Sequence, residues 1–207
     1  IIHGDGTIVG KESVLVTHGN QTNVIDTSNI LIATGSRPAR PRDIPFDGQH
    51  VMDADQLLKM NQLPRSVIVV GGGVIGTEYA SIMQAVGVKV TLIEGRNRLL
   101  DFVDAEICEA LQYHLRQGGM SLRLGEKVVS VSLIDAPEGS IASGDKLVQV
   151  ALESGKLMRS EALLYAVGRQ AASDGLNLES IGVTPDNRGR ITVNENYQTT
   201  CPNVYAA

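Results

Sequence analysis

The sequence is poor in aromatic residues and in cysteine, and each shortage limits what the chain can be. Its 207 residues include no Trp and two Phe, and aromatic residues make up 3% of the total. The core must therefore be aliphatic, as in the buried parallel sheets of α/β proteins. Two cysteines far apart in sequence, Cys108 and Cys201, provide neither a disulfide framework nor a metal-ligand spacing. We therefore expect a reduced, cytoplasmic compartment.

Long apolar stretches and clusters of basic residues are also missing. No apolar stretch approaches the roughly 18 residues of a membrane span, and no signal peptide opens the chain. The net charge of −5 and the absence of a Lys/Arg run argue against a nucleic-acid partner. The four histidines show no spacing for a metal site or a catalytic triad. We expect no nucleic acid, no membrane and no metal among the binding partners.

The most informative stretch that is present lies at residues 65–96, where the pattern predicts a βαβ unit. Residues 67–70 are a continuous apolar run, as a buried parallel strand requires. A G-x-G-x-x-G motif at residues 71–76 then opens a helical pattern that continues to about Val86. Residues 88–93 form the second predicted strand, which ends on Glu94. Strand, glycines, helix and acidic residue are thus in the order of a dinucleotide-binding unit.

Each glycine of the motif has its own physical task. Gly71 permits a tight turn, Gly73 allows backbone N–H groups to approach a pyrophosphate, and Gly76 allows the helix and strand to pack closely. The helix N-terminus would hold the phosphates, and Glu94 is positioned to accept the hydroxyl groups of an adenine ribose. Arg96 and Arg98 are either partners for an NADP 2′-phosphate or solvated side chains of a polar loop.

The rest of the chain predicts short strands and a few helices. The pattern indicates a β-meander in residues 1–30, a buried strand at 30–33 and a proline-rich extended connector at 38–48. Helices are expected at 53–60 and 104–117, the second with an apolar stripe of Ile107, Leu111 and Leu115 beside a packed Cys108. Further strands are expected near 120–124, 127–134, 146–151, 156–160, 162–167, 190–193 and 203–206.

These elements predict a central dinucleotide-binding domain between two incomplete flanks. A Rossmann-like α/β domain would occupy residues 45–167, with a three-stranded meander in place of one crossover helix. Residues 1–44 and 168–207 would be two parts of a neighbouring domain. The chain opens without Met at Ile1 and ends within an apolar run at Ala207. We therefore expect both ends to be cuts in a longer protein.

Three motifs carry a resemblance to a known family. Residues 30–36 read Ile-Leu-Ile-Ala-Thr-Gly-Ser, residues 163–169 read Leu-Leu-Tyr-Ala-Val-Gly-Arg, and residues 199–207 resemble the start of a second FAD motif. With the glycine motif, this arrangement resembles the FAD-dependent pyridine nucleotide-disulfide oxidoreductases, in which an NAD(P) domain is inserted into an FAD domain. The resemblance implies an α/β fold, with 1–44 and 168–207 as FAD-binding segments around the NAD(P)-binding domain.

The resemblance also implies the cofactors, FAD and NAD(P), and the residues that contact them. Glu94 would hold the adenosine ribose, with Val128 beside the adenine and Gly168 near the nicotinamide. Glu78, expected on the first helical turn, would approach the nicotinamide–flavin interface unless it is simply favoured by the helix dipole. The pyrophosphate would be wrapped by Gly71, Gly72, Gly73, Val74, Ile75, Gly76, Thr77 and Glu78. The FAD would be bordered by Ala33, Thr34, Gly35 and Arg169.

Three functions remain open on this evidence. Residues 33–41, 98–104 and 111–116 resemble most closely those family members that transfer hydride from NADPH through FAD to NAD⁺. A lipoamide dehydrogenase or related disulfide reductase is the second, which a Cys pair four residues apart upstream of Ile1 would favour. The third is a non-catalytic NAD-binding regulatory module. The resemblance to the family also implies that the longer protein is a homo-oligomer through a C-terminal domain outside this chain. We expect none of the 207 residues to be catalytic.

Overall fold

The computed structural model describes residues 1–137 and 145–207. In these residues the chain forms three α-helices, α1 (Ala54–Leu57), α2 (Val74–Ala85) and α3 (Ala105–Gln117), and one 3₁₀ helix, Leu178–Ile181. It also forms fifteen strands, β1 (Asp5–Gly10), β2 (Ser13–His18), β3 (Gln21–Asp26), β4 (Ile30–Ile32), β5 (Ser36–Pro38), β6 (Val51–Met52), β7 (Ser66–Val70), β8 (Lys89–Glu94), β9 (Ser121–Leu124), β10 (Val128–Asp135), β11 (Lys146–Leu152), β12 (Leu157–Ser160), β13 (Ala162–Tyr165), β14 (Arg169–Ala171) and β15 (Val204–Ala206).

The chain divides into two compact units. One consists of residues 38–168, and the other combines residues 1–37 with residues 169–207. None of the helices in the described residues is long and apolar enough to cross a membrane.

The unit of residues 38–168 is built on a five-stranded parallel sheet in the order β6-β13-β7-β8-β9. From β7 the chain moves outward through β8 to β9, and it then returns to the other side of β7 as β13. The strand order therefore reverses beside β7. In open α/β sheets, ligands bind outside the carboxyl ends of the strands at such a point.

Both faces of this sheet are covered, which explains the apolar run in β7. Val67 and Val69 belong to one core cluster with residues of α2 and α3, whereas Ile68 and Val70 belong to another with residues of β10 and β11. Successive strand residues point to opposite faces, so a strand between two layers must be apolar throughout. The second layer is the antiparallel sheet β10-β11-β12. The predicted α/β fold with a meander crossover is thus confirmed.

Helix α3 is at the predicted place, and of its predicted apolar stripe Leu111 and Leu115 are on the packed face, whereas Ile107 is not. Ile107 is 62% exposed, whereas Cys108 and Leu115 are 1% and 6% exposed and Leu111 packs against the first cluster. Counting only obvious hydrophobic residues selected Ile107 and treated Cys108 as a neighbour of the stripe. A free thiol behaves as a small apolar side chain, and here it belongs to the buried face itself.

Helix α1 is shorter than predicted but is capped as its sequence suggests. Asp53 is the N-cap, and Asp53 Oδ1 accepts a hydrogen bond from the Gln56 N–H at 2.9 Å. The Gln56 side chain accepts from the Asp53 N–H at 3.3 Å, which completes a capping box. Asp53 also accepts from Arg40 Nε at 2.5 Å, so the cap anchors the extended connector to this unit.

The unit of residues 1–37 and 169–207 contains the predicted meander, β1-β2-β3, and two strand pairs, β4 with β15 and β5 with β14. Its core cluster includes Ile8, Ile32 and Val204. The strand predicted near 190–193 is absent from the structure, where this segment has no regular hydrogen-bonded pattern. Ile191 and Val193 pack against the cluster from an irregular loop, which explains their apolar character.

Candidate functional site

The glycine motif forms the turn between β7 and α2, and Gly71 makes the bend itself. Its φ of +107° is a conformation that L side chains rarely adopt, and a Cβ there would lie 2.6 Å from the Ala166 carbonyl oxygen. The Gly71 N–H donates to the Ile93 carbonyl at 2.8 Å, which ties the turn to the end of β8. The end of β8 is therefore held beside the start of α2.

Gly73 and Gly76 are small for different reasons. A Cβ on Gly76 would lie 1.9 Å from the Gly71 carbonyl oxygen, which is shorter than any permitted contact. A Cβ on Gly73 would have nothing within 4 Å. Gly76 is thus required by the packing of the turn against the helix, whereas Gly73 borders open space.

That open space lies at an uncapped helix N-terminus. Gly73 is the N-cap of α2, and no side chain in the described residues caps the helix there. The first N–H groups of a helix lack partners within the helix, and they carry the positive end of its dipole. The start of α2 can therefore receive an anion, and phosphate is the group that such termini bind most often in dinucleotide-binding folds.

Glu94 ends β8 next to this turn and is almost completely buried. Its Oε2 accepts the Gly72 N–H at 2.6 Å, and its Oε1 accepts the Arg96 N–H at 2.9 Å. Burial alone would raise the pKa of Glu94. Hydrogen bonds from the side chain and backbone of Arg96 and from Gly72 outweigh burial, and they hold that pKa below its ordinary value. Glu94 is therefore a carboxylate acceptor at neutral pH.

The Arg96 side chain occupies both oxygens of this carboxylate. Arg96 Nε donates to Glu94 Oε1 at 2.9 Å and Arg96 Nη2 donates to Glu94 Oε2 at 3.0 Å, while Arg96 Nη1 donates to Asp101. These carboxylates raise the pKa of Arg96. Arg98 Nη2 donates to the Asp101 carbonyl oxygen at 2.7 Å. Both arginines suggested as 2′-phosphate partners thus already have acceptors in the loop after β8.

Two leucines that sequence reasoning overlooked hold this loop against the glycine turn. Leu99 is fully buried, and its Cδ2 would be 2.5 Å from a Cβ on Gly72, so Gly72 must also be glycine. Leu100 has a φ of +48°, and its N–H donates to the Gly72 carbonyl at 3.0 Å. The only sequence signal was a pair of adjacent leucines in an otherwise polar loop. Asp101 gave no signal.

Three further residues that were predicted to contact the nucleotide, Val128, Gly168 and Glu78, lie on different elements of this unit. Val128 begins β10, and the turn before it is bonded to the end of β8, because the Glu126 N–H donates to the Glu94 carbonyl at 3.2 Å. Gly168 has a φ of +81° and accepts from the Ala39 N–H at 3.2 Å. Glu78 is exposed and is the fifth residue of α2. The prediction placed Glu78 on the first helical turn, and this was wrong because Glu78 lies just beyond that turn.

Inside α2, Val74 and Ile75 occupy the first turn after Gly73, with Val74 exposed and Ile75 half-buried. Thr77 is buried, and its N–H donates to the Gly73 carbonyl at 3.0 Å. Its Oγ1 is buried without a hydrogen-bond partner among the described residues. Thr77 therefore faces the interior, and the accessible part of the motif is the segment around Gly73.

The four residues expected at a flavin belong to the other unit. Ala33, Thr34 and Gly35 are exposed and follow β4, and Gly35 has a φ of +69°. Thr34 and Gly35 help to line a cavity of about 360 Å³, together with Ile32, Ser173, Ile191, Tyr197, Ala206 and others. Arg169 donates from Nε to Ser36 Oγ at 2.8 Å.

Comparison with known proteins reveals similarity along the whole chain. The family described as pyridine nucleotide-disulphide oxidoreductase matches residues 1–207. The soluble pyridine nucleotide transhydrogenase of Photobacterium profundum is 43% identical over 207 residues, and that of Colwellia psychrerythraea is 41% identical over 206 residues. These matches cover 100% and 99% of this chain but 42% of each relative. The chain thus spans less than half the length of the curated relatives it matches.

Solved structures with the same fold include two proteins that match almost the whole chain. The HOCl-induced flavoprotein disulfide reductase RclA from Escherichia coli has a TM-score of 0.83 and 31% identity, covering 99% of this chain and 44% of that protein. LpdA from Mycobacterium tuberculosis has a TM-score of 0.87 and 25% identity, covering 100% of this chain and 44% of that one.

Proposed function

The chain belongs to the pyridine nucleotide-disulphide oxidoreductase family, and from that premise we propose that residues 38–168 bind NAD(H) or NADP(H) for a flavoprotein oxidoreductase. The observation that carries the proposal is the uncapped start of α2, with open space at Gly73 and a buried carboxylate, Glu94, at the end of the next strand. The helix N-terminus that follows β7 can bind the pyrophosphate of a dinucleotide. The carboxylate at the end of the neighbouring strand β8 can accept hydrogen bonds from its adenine ribose.

In this proposal the pyrophosphate lies at residues 71–78, against the N–H groups that begin α2. Glu94 accepts the ribose hydroxyls in exchange for hydrogen bonds that Gly72 and Arg96 donate to its two oxygens in the structure, and its low pKa supports that role because it keeps the group a carboxylate. Val128 would border the adenine, since its turn is bonded to the Glu94 segment. Gly168 would lie near the nicotinamide, and the family is its only support.

The flavin is assigned to the other unit, through Ala33, Thr34, Gly35 and Arg169. The 360 Å³ cavity supports this, because Thr34 and Gly35 line it together with apolar side chains. When bound, FAD supplies hydride and electron transfer, and the protein positions the nucleotide. We include in the proposal a reducing, cytoplasmic location, supported by two buried free thiols, and a homo-oligomeric whole protein.

For the whole protein we propose hydride transfer from NADPH through FAD to NAD⁺. It is supported by identities of 41% and 43% to proteins named soluble pyridine nucleotide transhydrogenase. The second candidate is a disulfide reductase, which the likeness to the RclA structure favours. A Cys pair four residues apart in the sequence upstream of residue 1 would decide for the reductase.

Calorimetric titration of the 207-residue chain with NADH tests the nucleotide site. The Gly73→Ala variant should bind NADH at least about tenfold more weakly, which corresponds to about 1.4 kcal/mol. The added methyl group occupies the space that the pyrophosphate needs, and it touches nothing in the empty chain.

Gly175→Ala is the matched control. A Cβ at Gly175 also has nothing within 4 Å, its φ lies outside the left-handed range, and the residue belongs to the other unit. Gly175→Ala should therefore bind NADH like the parent chain. Equal affinity of parent chain and Gly73→Ala would contradict a pyrophosphate at this turn.

A further inference from the structure

The guanidinium group of Arg96 is held between two carboxylates. It donates twice to Glu94, at 2.9 and 3.0 Å, and once to Asp101. The Glu94 side chain is 9% exposed, whereas the side chains of Arg96 and Asp101 are 46% and 43% exposed. The group is thus anchored on a buried carboxylate and held on its solvent side by an accessible one.

The position of Asp101 depends on the glycine turn. Leu99 packs on Gly72, and the Leu100 N–H donates to the Gly72 carbonyl at 3.0 Å. Leu100 adopts a left-handed conformation that a leucine rarely takes, and the Val103 N–H donates back to its carbonyl at 2.8 Å. This tight turn presents Asp101 to Arg96. Asp101 is therefore positioned by the same segment that would hold the pyrophosphate.

The two classes of nucleotide make opposite demands on this cluster. A ribose 2′-hydroxyl needs an acceptor, and Glu94 provides it by exchanging one of the hydrogen bonds that it accepts from Gly72 and Arg96. A 2′-phosphate is repelled by Glu94, and it needs a guanidinium group as a charge-assisted donor. In the structure three of the five N–H groups of Arg96 already donate to Glu94 and Asp101, so a 2′-phosphate must compete with both carboxylates for the orientation of the guanidinium group.

We propose that Asp101 sets the cofactor preference of this site by holding Arg96 against Glu94 and away from a 2′-phosphate. The inference rests on the proposed nucleotide site and adds to it a residue that acts through Arg96. Asp101 is accordingly a positioning residue, and it favours NAD(H) over NADP(H).

The test compares NADH and NADPH affinities of the 207-residue chain and its Asp101→Asn variant by calorimetry. Removing one exposed ion pair should raise the ratio of NADPH to NADH affinity by up to about fivefold, the upper end of the range for such a pair, chiefly through tighter NADPH binding. Glu106→Gln is the control, because it removes one negative charge from an exposed position whose side chain, within the described part of the chain, forms no hydrogen bond or ion pair with Arg96. It should leave the ratio unchanged.

A double substitution separates positioning from simple charge. In an Arg96→Met background, Asp101→Asn should leave the affinity ratio where Arg96→Met alone puts it, because Asp101 acts through the guanidinium group. The same rise with and without Arg96, or an equal rise in Glu106→Gln, would overturn the proposal in favour of net charge. An unchanged ratio in Asp101→Asn, with NADH binding intact, would also overturn it. If the parent chain bound no NADH, the proposed function itself would fail instead.

Discussion

The glycines of the 71–76 turn are each required by a different neighbour, which makes this turn intolerant of change for several reasons at once. Gly71 needs its backbone conformation, Gly72 faces Leu99 and Glu94, and Gly76 faces the carbonyl oxygen of Gly71. Only Gly73 is free of protein neighbours on its Cβ side. Packing therefore constrains the other three, and an empty space that would suit a ligand remains beside Gly73.

Gly76→Ala should consequently damage stability rather than binding alone. Its methyl group would lie 1.9 Å from the Gly71 oxygen, so the helix must move away from the turn. Overpacking of this kind typically costs about 1–3 kcal/mol. With about 2–4 °C per kcal/mol for a chain of this size, the Tm without ligand should fall by several degrees. Thermal unfolding followed by circular dichroism measures it.

Gly73→Ala serves as the comparison within the same turn. Glycine is preferred to alanine at an N-cap by about 1 kcal/mol at most, so its Tm should change by no more than a few degrees. If Gly76→Ala melted at the same temperature as the parent chain, the packing role of Gly76 would be wrong.

The turn at Gly71 and the packing role of Gly76 could be inferred from sequence, because the motif spacing indicates which residue turns and which meets the helix. The phosphate role of Gly73 stays a prediction. The roles of Leu99 and Asp101 could not be inferred from sequence. They depend on which loop residues come to lie over Gly72 and Arg96, and a left-handed Leu100 directs that loop. Sequence patterns carry little information about such a non-glycine conformation.

At the scale of elements, α3 shows how one residue of a predicted helix face can be wrong. The helix and its Asp104 N-cap follow from local signals, and Asp104 Oδ1 accepts the Glu106 N–H at 3.0 Å. The buried face also includes Gln112, a polar residue that no hydrophobic pattern would select. Because Cys108 and Gln112 face inward, a count of aliphatic residues identifies only Leu111 and Leu115 of the buried face. It also selects Ile107, which is exposed.

Leucine and isoleucine on this helix should therefore respond differently to truncation. Leu115→Ala removes a side chain that is 6% exposed and belongs to the first core cluster, and it should cost about 2–4 kcal/mol of unfolding free energy. Ile107→Ala alters a side chain that is 62% exposed, and it should change the unfolding free energy by less than about 0.5 kcal/mol. Urea denaturation of both variants provides the values, and equal losses would mean that Ile107 is packed after all.

Strand β7 was predicted correctly for a physical reason, whereas the short strands β5, β6 and β14 were not predicted. β7 lies between two layers, so its apolar run carries no phase that could be misjudged. The segment near 190–193 misled the prediction because its apolar residues pack from a loop. Short apolar segments that are buried usually form strands, but Ile191 and Val193 pack against the core without forming one.

At the scale of the whole molecule, each of the three core clusters is drawn from one unit. The first two lie within residues 38–168, and the third lies within residues 1–37 and 169–207. The proposed nucleotide contacts other than the flavin border also lie within 38–168. The flavin-border residues belong to the second unit, which is assembled from two separate stretches of the sequence. The parallel pairing of β4 with β15, which joins those stretches, could not be read from either one alone.

We therefore predict that residues 38–168, expressed alone, fold and bind NADH within about threefold of the affinity of the 207-residue chain. Both sheets of this unit, the glycine turn, Glu94 and Arg96 are all retained. Its new ends are close together, because the Ala39 N–H donates to the Gly168 carbonyl at 3.2 Å. The excision cuts no strand of the parallel sheet, because all five strands lie within residues 38–168. Cooperative thermal unfolding and calorimetry provide the two readouts, with Gly73→Ala in the same piece as the weakly binding control. A folded piece that binds NADH tenfold more weakly or worse would mean that the nucleotide site draws essential contacts from the other unit.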